Sequence, residues 1–197
     1  IVASFNVFEP IRNRLILDQW QALFLNLYGN SSGFYNGLYT PHETRGWTTK
    51  TNRVITMGNE KYTLNNMGHR SLYNYERLDD KYKILIVGDS MTFGEEADDS
   101  YVWPNLLQEQ DANFQVVNLA TGGYGVDQMY ITLQESIDYY EPNLVIVALI
   151  GDDLHRSTLK FRDYKKPKFE IVGDDLVPTN VPIGDIIEVR SELRNQY

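Results

Sequence analysis

Ser90 is the residue whose neighbours best fit a nucleophile. It lies in the segment Gly88-Asp89-Ser90-Met91-Thr92-Phe93-Gly94, directly after a run of apolar residues. A serine that follows a buried strand and begins a helix stands at the rim of a sheet, where helix N-terminal amides stabilise negative charge. The alternative is a serine that caps the helix of an ordinary strand-to-helix turn. This turn by itself leaves both interpretations open.

Two later stretches add groups of the kind that stabilise a reacting oxyanion. One reads Asn118-Leu119-Ala120-Thr121-Gly122-Gly123-Tyr124-Gly125 and places Gly123 33 residues after Ser90. A glycine lets its backbone N–H approach a reacting oxygen closely. The other reads Leu149-Ile150-Gly151-Asp152-Asp153-Leu154 and supplies polar side chains. The three stretches together indicate a site, provided that the fold brings them to one place.

Three apolar runs precede these stretches and are typical of strands buried on both faces. They cover residues 82–87, 115–119 and 144–150. Apolar residues at helical spacing predict a helix over 126–140, and a shorter helix is predicted over 103–110. Strands that alternate with helices predict a parallel sheet covered on both sides. Right-handed crossovers then bring the three turns to the carboxyl edge of that sheet, where such sheets bind ligands.

The order and spacing of the three stretches resemble those of the SGNH (GDSL-type) hydrolase family. Gly-Asp-Ser with Thr-Phe-Gly matches the first block of the family, Asn-Leu with Gly-Gly-Tyr-Gly the second, and Gly-Asp-Asp-Leu the third. The resemblance spans about residues 82–155. It implies a three-layer, flavodoxin-like α/β fold with a parallel sheet. It also implies a serine esterase or acyltransferase.

The resemblance assigns roles to three residues. Ser90 is the nucleophile, and its backbone N–H is one oxyanion donor, with the Gly123 N–H as the second. The third donor of the family is an asparagine amide, and the matching residue here is Asp152. An ionised carboxylate has no proton to donate, and loss of one such donor typically costs about 10²–10³ in rate. Asp152 therefore predicts a site that is weakened, retuned or inactive.

The base that activates the serine is the part of the family's site that this sequence does not match. The family carries it in an Asp-x-x-His block near the end of the domain, whereas the histidines here are His42, His69 and His155. The residues 152–155 spell the same pattern, but they belong to the third stretch, and we interpret the match as coincidence. We therefore expect the domain to lack its C-terminal part in this sequence.

The chain divides at about residue 80. Residues 81–197 are expected to form the hydrolase-like domain. Residues 1–80 are expected to form an N-terminal helix over 11–28 and an irregular lead-in, both packed on that domain. Residues 62–71 resemble a lead-in found in some bacterial extracytoplasmic members of the family, which favours an exported bacterial protein. Arg70 in this segment is expected to pair with an acid on the surface.

The region after the third stretch does not resemble the missing block. Six basic residues lie in 156–168, which we interpret as a solvated loop or, alternatively, as a contact for an anionic substrate. Residues 169–172 and 176–178 flank Gly173 and predict a hairpin.

The composition fits a globular protein and limits its partners. The 27 acidic residues outnumber the 18 basic ones, and the net charge of −9 argues against general nucleic-acid binding. No segment approaches the roughly 20 apolar residues that span a bilayer. The chain has no cysteine and no histidines at ligand spacing, so no metal or other cofactor is predicted. A small-molecule or carbohydrate ester is the expected substrate, and the oligomeric state is left open.

Several functions are compatible with these features. Hydrolysis of small acyl esters, including acetyl groups on carbohydrate, is the first hypothesis. A polysaccharide O-acyltransferase is the nearest alternative, because an acyl group on Ser90 can pass to a sugar hydroxyl instead of water. Asp152 and the missing base favour a catalytically inactive binding module. A nucleotide binder that uses Ser90 and Thr92 is disfavoured, since the first turn lacks a longer phosphate loop.

Overall fold

The computed structural model of this protein describes residues 37–74 and 80–194, together with Gln19, Gln21 and Phe24. The helix predicted over residues 11–28 lies outside the described residues, apart from these three helical positions. The elements in chain order are β1 (Tyr39–His42), β2 (Gly46–Thr49), β3 (Arg53–Met57), β4 (Glu60–Leu64), β5 (Tyr82–Gly88), α1 (Ser90–Phe93), a 3₁₀ turn (Asp99–Tyr101), α2 (Trp103–Gln108), β6 (Phe114–Asn118), α3 (Val126–Tyr140), β7 (Leu144–Ala148), α4 (Gly151–Arg156), β8 (Phe161–Arg162), β9 (Tyr164–Lys165), β10 (Lys168–Val172), β11 (Asp175–Thr179) and α5 (Ile186–Arg194).

The centre of the fold is a parallel three-stranded sheet in the order β6-β5-β7. Alternate residues of β5 face opposite sides, as the pleat of a strand requires. Ile84 and Ile86 join a small core with Leu107 of α2, whereas Leu85 and Val87 join the main core with Met129 of α3. Helices therefore cover both faces of the sheet, which confirms the three-layer α/β fold that the sequence predicted.

The third strand of the sheet is less buried than its apolar sequence predicts. Leu144 is 42% exposed and Val147 is 49% exposed. Among the described residues β7 pairs with β5 alone, so it forms an edge of the sheet. The prediction of a strand buried on both faces is wrong here, because an apolar run does not reveal whether its strand lies at the centre or the edge. The strand also ends at Ala148, before the predicted residue 150.

The lead-in before the sheet is more regular than the sequence indicated. Strands β1 and β2 form one antiparallel hairpin, and β3 and β4 form a second. The strand-like piece at Arg53–Met57 is β3. Tyr39, Trp47 and Tyr62 from these hairpins are buried in the main core beside the sheet. The hairpins therefore help to build the core that supports the turns of the sheet.

The basic segment 156–168 is not a solvated loop at two of its positions. Lys166 is fully buried, and its ammonium group pairs with Asp127 at the start of α3. Arg156 is buried as well. Burial of a charge is tolerated only when the charge is paired, so these cations are built into the fold. The hairpin predicted after this segment is confirmed as β10 and β11.

Candidate active site

Ser90 is the first residue of α1 and follows directly on the carboxyl end of β5. Asp89 caps this short helix, because its carboxylate accepts a hydrogen bond from the Met91 backbone N–H at 3.0 Å. Within the described part of the chain, the Ser90 backbone N–H and hydroxyl form no hydrogen bond. Both groups of Ser90 are thus available to a ligand at the sheet edge.

The second turn lies beside the first. The Thr121 backbone N–H donates to the Gly88 carbonyl at 3.2 Å, which joins the two turns. Gly123 has a φ of 79°, in the left-handed region that glycine adopts most easily. Its N–H also has no acceptor among residues 37–74 and 80–194. Two N–H groups are therefore left unpaired at adjacent turns, as the predicted oxyanion roles of Ser90 and Gly123 require; the roles themselves stay predictions.

The glycine pair of this turn is dictated by its surroundings. A methyl group on Gly122 would collide with the Glu95 carboxylate and the Tyr39 hydroxyl, and one on Gly123 would collide with the Arg162 guanidinium. The Gly122 N–H donates to the Tyr39 hydroxyl at 3.2 Å. Polar side chains therefore approach the turn directly from two sides.

Arg156 joins all three turns of the sheet edge. Its Nη1 lies 3.2 Å from an Asp89 carboxylate oxygen, 3.3 Å from the Tyr124 carbonyl and 2.7 Å from an Asp153 carboxylate oxygen. In the sequence this arginine belongs to the basic segment 156–168, and its link to the three turns was not predicted. Its spacing from Asp152 and Asp153 on α4 was the available signal, since residues three and four apart meet on a helix.

Asp152, the predicted third oxyanion residue, is paired with a cation. Its carboxylate lies 3.0 Å from Arg156 Nη2, and its side chain is 58% exposed. Asp153 behind it is buried, accepts the Ile150 N–H at 2.9 Å, and has a raised pKa because burial removes water from its carboxyl. Asp152 therefore stands at the third turn with part of its negative charge balanced by Arg156.

The described residues place no histidine in a hydrogen bond with Ser90. The ring of His42 lies 2.6 Å from the Arg45 guanidinium. His69 Nε2 lies 3.2 Å from the Tyr140 hydroxyl, and burial lowers the pKa of His69 to about 3. His155 lies on α4, three residues after Asp152. The Asp152 carboxylate pairs with Arg156, the residue after this histidine.

Glu95 and Arg162 are charged neighbours of the site that sequence reasoning missed. The Glu95 N–H donates to the Ser90 carbonyl at 2.9 Å, which brings Glu95 back over the first turn. Although the residue is exposed overall, partial desolvation raises the pKa of its carboxyl, against the opposing charge of Arg162. Both side chains reach the glycine pair only through the tertiary fold, so no local pattern identifies them.

Comparison with known proteins agrees with this geometry. Residues 84–178 match the family described as GDSL-like Lipase/Acylhydrolase. These residues belong to the SGNH (GDSL-type) hydrolase family. Searches of curated proteins and of solved structures gave no significant match. The resemblance drawn from the three stretches is thus confirmed, and membership of the SGNH family supports hydrolysis of esters in general.

The helices of residues 37–74 and 80–194 were also compared with the dimensions of a bilayer. None of these helices is both long enough and apolar enough to cross it.

Proposed function

We propose that this SGNH domain is a serine esterase that cleaves small acyl esters through an acyl-enzyme on Ser90. The observation that carries the proposal is the pair of unpartnered N–H groups of Ser90 and Gly123 on adjacent turns, next to the Ser90 hydroxyl. Preorganised N–H donors of this kind stabilise the oxyanion of acyl transfer.

The reaction proceeds in two steps. The Ser90 oxygen forms a bond to the ester carbonyl carbon, the ester C–O bond breaks, and the alcohol leaves with the proton that a base took from the serine. Water then attacks the acyl-enzyme, which releases the carboxylic acid and returns a proton to Ser90. The two N–H groups hold the carbonyl oxygen while it carries negative charge in each step.

A cavity beside the glycine pair supports a hydroxyl-rich substrate. It has a volume of about 510 Å³ and is lined by Leu38, Tyr39, Met57, Glu60, Tyr62, Glu95 and Glu96. Tyr39 and Glu95 also contact Gly122, so the cavity adjoins the turn. Carboxylates accept hydrogen bonds from hydroxyl groups and repel anions. A neutral acylated sugar fits this cavity better than an anionic ester does.

The same cavity favours O-acyltransfer as a second function. A sugar held there presents its hydroxyls near the acyl-enzyme and competes with water for the acyl group. The resemblance of residues 62–71 to extracytoplasmic members of the family supports action on a cell-surface polysaccharide outside the cytoplasm.

Labelling of Ser90 tests the proposed esterase. A fluorophosphonate probe is expected to label the wild-type protein and to leave Ser90→Ala unlabelled. Ser191→Ala is the matched control, since Ser191 is exposed on α5 and follows none of the three turns, and this variant should label like wild type. Turnover of p-nitrophenyl acetate should follow the labelling. A wild-type protein that neither labels nor turns over this ester contradicts the esterase and favours the binding module.

Two measurements refine the result. Adding an oligosaccharide acceptor should divert acetyl groups from water to sugar if the protein is a transferase, which mass spectrometry of the products detects. The intact mass of the natural polypeptide, with its sequence, shows whether it carries the Asp-x-x-His block that the family resemblance predicts as the base.

A further inference from the structure

We propose that the Arg162 guanidinium supplies the third oxyanion-stabilising charge of the Ser90 site, in place of the amide that Asp152 lacks. This inference rests on the proposed esterase function. It addresses the oxyanion position at which the site departs from its family, and it assigns the missing contribution to a residue from a different part of the chain.

The position of Arg162 is the first argument. It ends β8, and its guanidinium lies so close to Gly123 that a methyl group on that glycine would collide with Nη1. Gly123 carries one of the two unpartnered N–H groups of the site. A cation in contact with this residue lies beside the place where the oxyanion develops.

The rigidity of the hairpin is the second argument. Phe161 before Arg162 and Tyr164 after Asp163 are both buried in the main core. The Tyr164 hydroxyl donates to the Gly184 carbonyl at 2.7 Å, and Arg162 pairs with Tyr164 in the β8–β9 ladder. The Arg162 side chain is only 18% exposed. A charge that is fixed before the reaction stabilises a transition state more effectively than one that must first be ordered.

The distribution of the other charges is the third argument. Arg156, the other cation at the sheet edge, is engaged by Asp89, Asp152 and Asp153. Arg162 is paired with the carboxylate of Asp163, the residue that follows it. The carboxylate of Glu95 approaches the neighbouring Gly122. Arg162 Nη1 lies against Gly123, so the oxyanion would share the charge of this cation with Asp163.

Loss of the Arg162 charge should slow the reaction without weakening substrate binding. With p-nitrophenyl acetate, Arg162→Gln is expected to lower kcat about 100-fold and to leave KM within about twofold, because the interaction develops only in the transition state. Methylguanidine added to Arg162→Ala should restore part of kcat. The matched control is Lys165→Gln, on the same hairpin but paired with Glu192, which should keep kcat within about twofold.

A double variant separates this role from a structural one. If Arg162 replaces the missing amide, Asp152→Asn should raise kcat by less than about tenfold in wild type. The same change should raise kcat by about tenfold or more in Arg162→Gln, where only the Ser90 and Gly123 N–H groups are left to stabilise the oxyanion. A purely structural role for Arg162 predicts equal gains in both backgrounds.

A further variant tests the proposal even if Arg162→Gln fails to fold. Asp163 has a φ of 58°, which asparagine tolerates, so Asp163→Asn should keep the backbone of the hairpin. It removes the carboxylate that offsets Arg162, and kcat should therefore rise. Unchanged or higher kcat in folded Arg162→Gln, or lower kcat in Asp163→Asn, overturns this inference and leaves the labelling of Ser90 intact. A wild-type protein that does not label overturns the esterase and this inference together.

Discussion

The Gly122-Gly123 turn has no room for a side chain on either glycine. Side chains from β1, from the loop after α1 and from β8 reach the backbone of the two glycines, and each occupies the space that a Cβ would take. In the proposed oxyanion role of Gly123 a substrate oxygen must also approach its N–H, so a residue without a side chain suits the proposed reaction as well as the packing.

Replacement of Gly123 should therefore impair both folding and catalysis. Gly123→Ala places a side chain in the left-handed region and against Arg162, so we expect a loss of about 1–3 kcal/mol in the free energy of unfolding. We also expect kcat/KM with p-nitrophenyl acetate to fall by about 100-fold.

Gly151→Ala is the matched control for this change. A Cβ on Gly151, the first residue of α4, meets no atom within 4 Å. Urea titration and ester turnover of this variant should both match wild type. Equal effects of the two substitutions would contradict the special role of Gly123.

Arg156 gives a second prediction at the scale of the residue. Its replacement by alanine leaves the buried carboxylates of Asp89 and Asp153 without their cation, so we expect the free energy of unfolding to fall by about 3–5 kcal/mol. Because burial already raises the pKa of Asp153, this loss should become smaller as the pH falls and that carboxyl takes up a proton.

Urea titrations at two pH values measure this effect. Arg53→Ala, at an exposed position of β3, is the control and should change the free energy of unfolding by less than about 0.5 kcal/mol. If the loss in free energy of unfolding of Arg156→Ala is the same at both pH values, protonation of Asp153 does not relieve the loss of Arg156, and the prediction is wrong.

At the scale of the elements, the lead-in contacts the loop that follows α1 as well as the core. Arg70, which follows β4, is fully buried instead of lying at the surface as the sequence suggested. It pairs with Asp99 at 3.2 Å, as expected of an acid partner, and donates to the carbonyls of Phe93, Gly94 and Ala97. This side chain therefore fixes the end of α1 and the loop that carries Glu95.

Substitution of Arg70 should release that loop. Lysine keeps the charge but cannot form the same fork of hydrogen bonds, so Arg70→Lys should lower the free energy of unfolding by about 2–4 kcal/mol. Cleavage by a glutamate-specific protease after Glu95 or Glu96 should become faster than in wild type. Cleavage at unchanged rates, with Arg53→Lys as the control, would show that Arg70 does not hold the loop.

At the scale of the whole molecule, His69 joins the lead-in to the far end of α3. Its ring lies against Tyr140, and burial lowers its pKa to about 3. Because the unfolded chain binds a proton at this histidine near pH 6.5 and the folded protein does not, stability is lost as the pH falls from about 6.5 toward 3. The contribution amounts to about 2 kcal/mol between pH 7 and pH 5.

Removal of this histidine should flatten the pH dependence of stability. We expect His69→Gln to lose about 2 kcal/mol less than wild type when urea titrations at pH 7 and pH 5 are compared. Parallel losses in the two proteins would mean that the folded state accepts the proton at His69.

The sequence by itself determined the presence of a parallel sheet and the position of the predicted nucleophile in the chain. Local patterns predict the three strands, the three turns and the helix over Val126–Tyr140. They do so because buried strands are continuous apolar runs and an amphipathic helix repeats its apolar residues every 3.6 positions. Spacing between the turns then sufficed to match the SGNH family, and with it the predicted roles of Ser90, Gly123 and Asp152.

Only the tertiary structure decided what surrounds those turns. The charged residues around the turns are distant from Gly123 in sequence or are separated from it by other elements; they are Arg70, Glu95, Arg156 and Arg162. The ion pairs of the three arginines depend on burial, which no local sequence pattern predicts. A charge in a sequence is most often a solvated one, and its role changes when the fold removes its water. For that reason the sequence located Ser90, whereas the charges that would tune it became visible only in the folded chain.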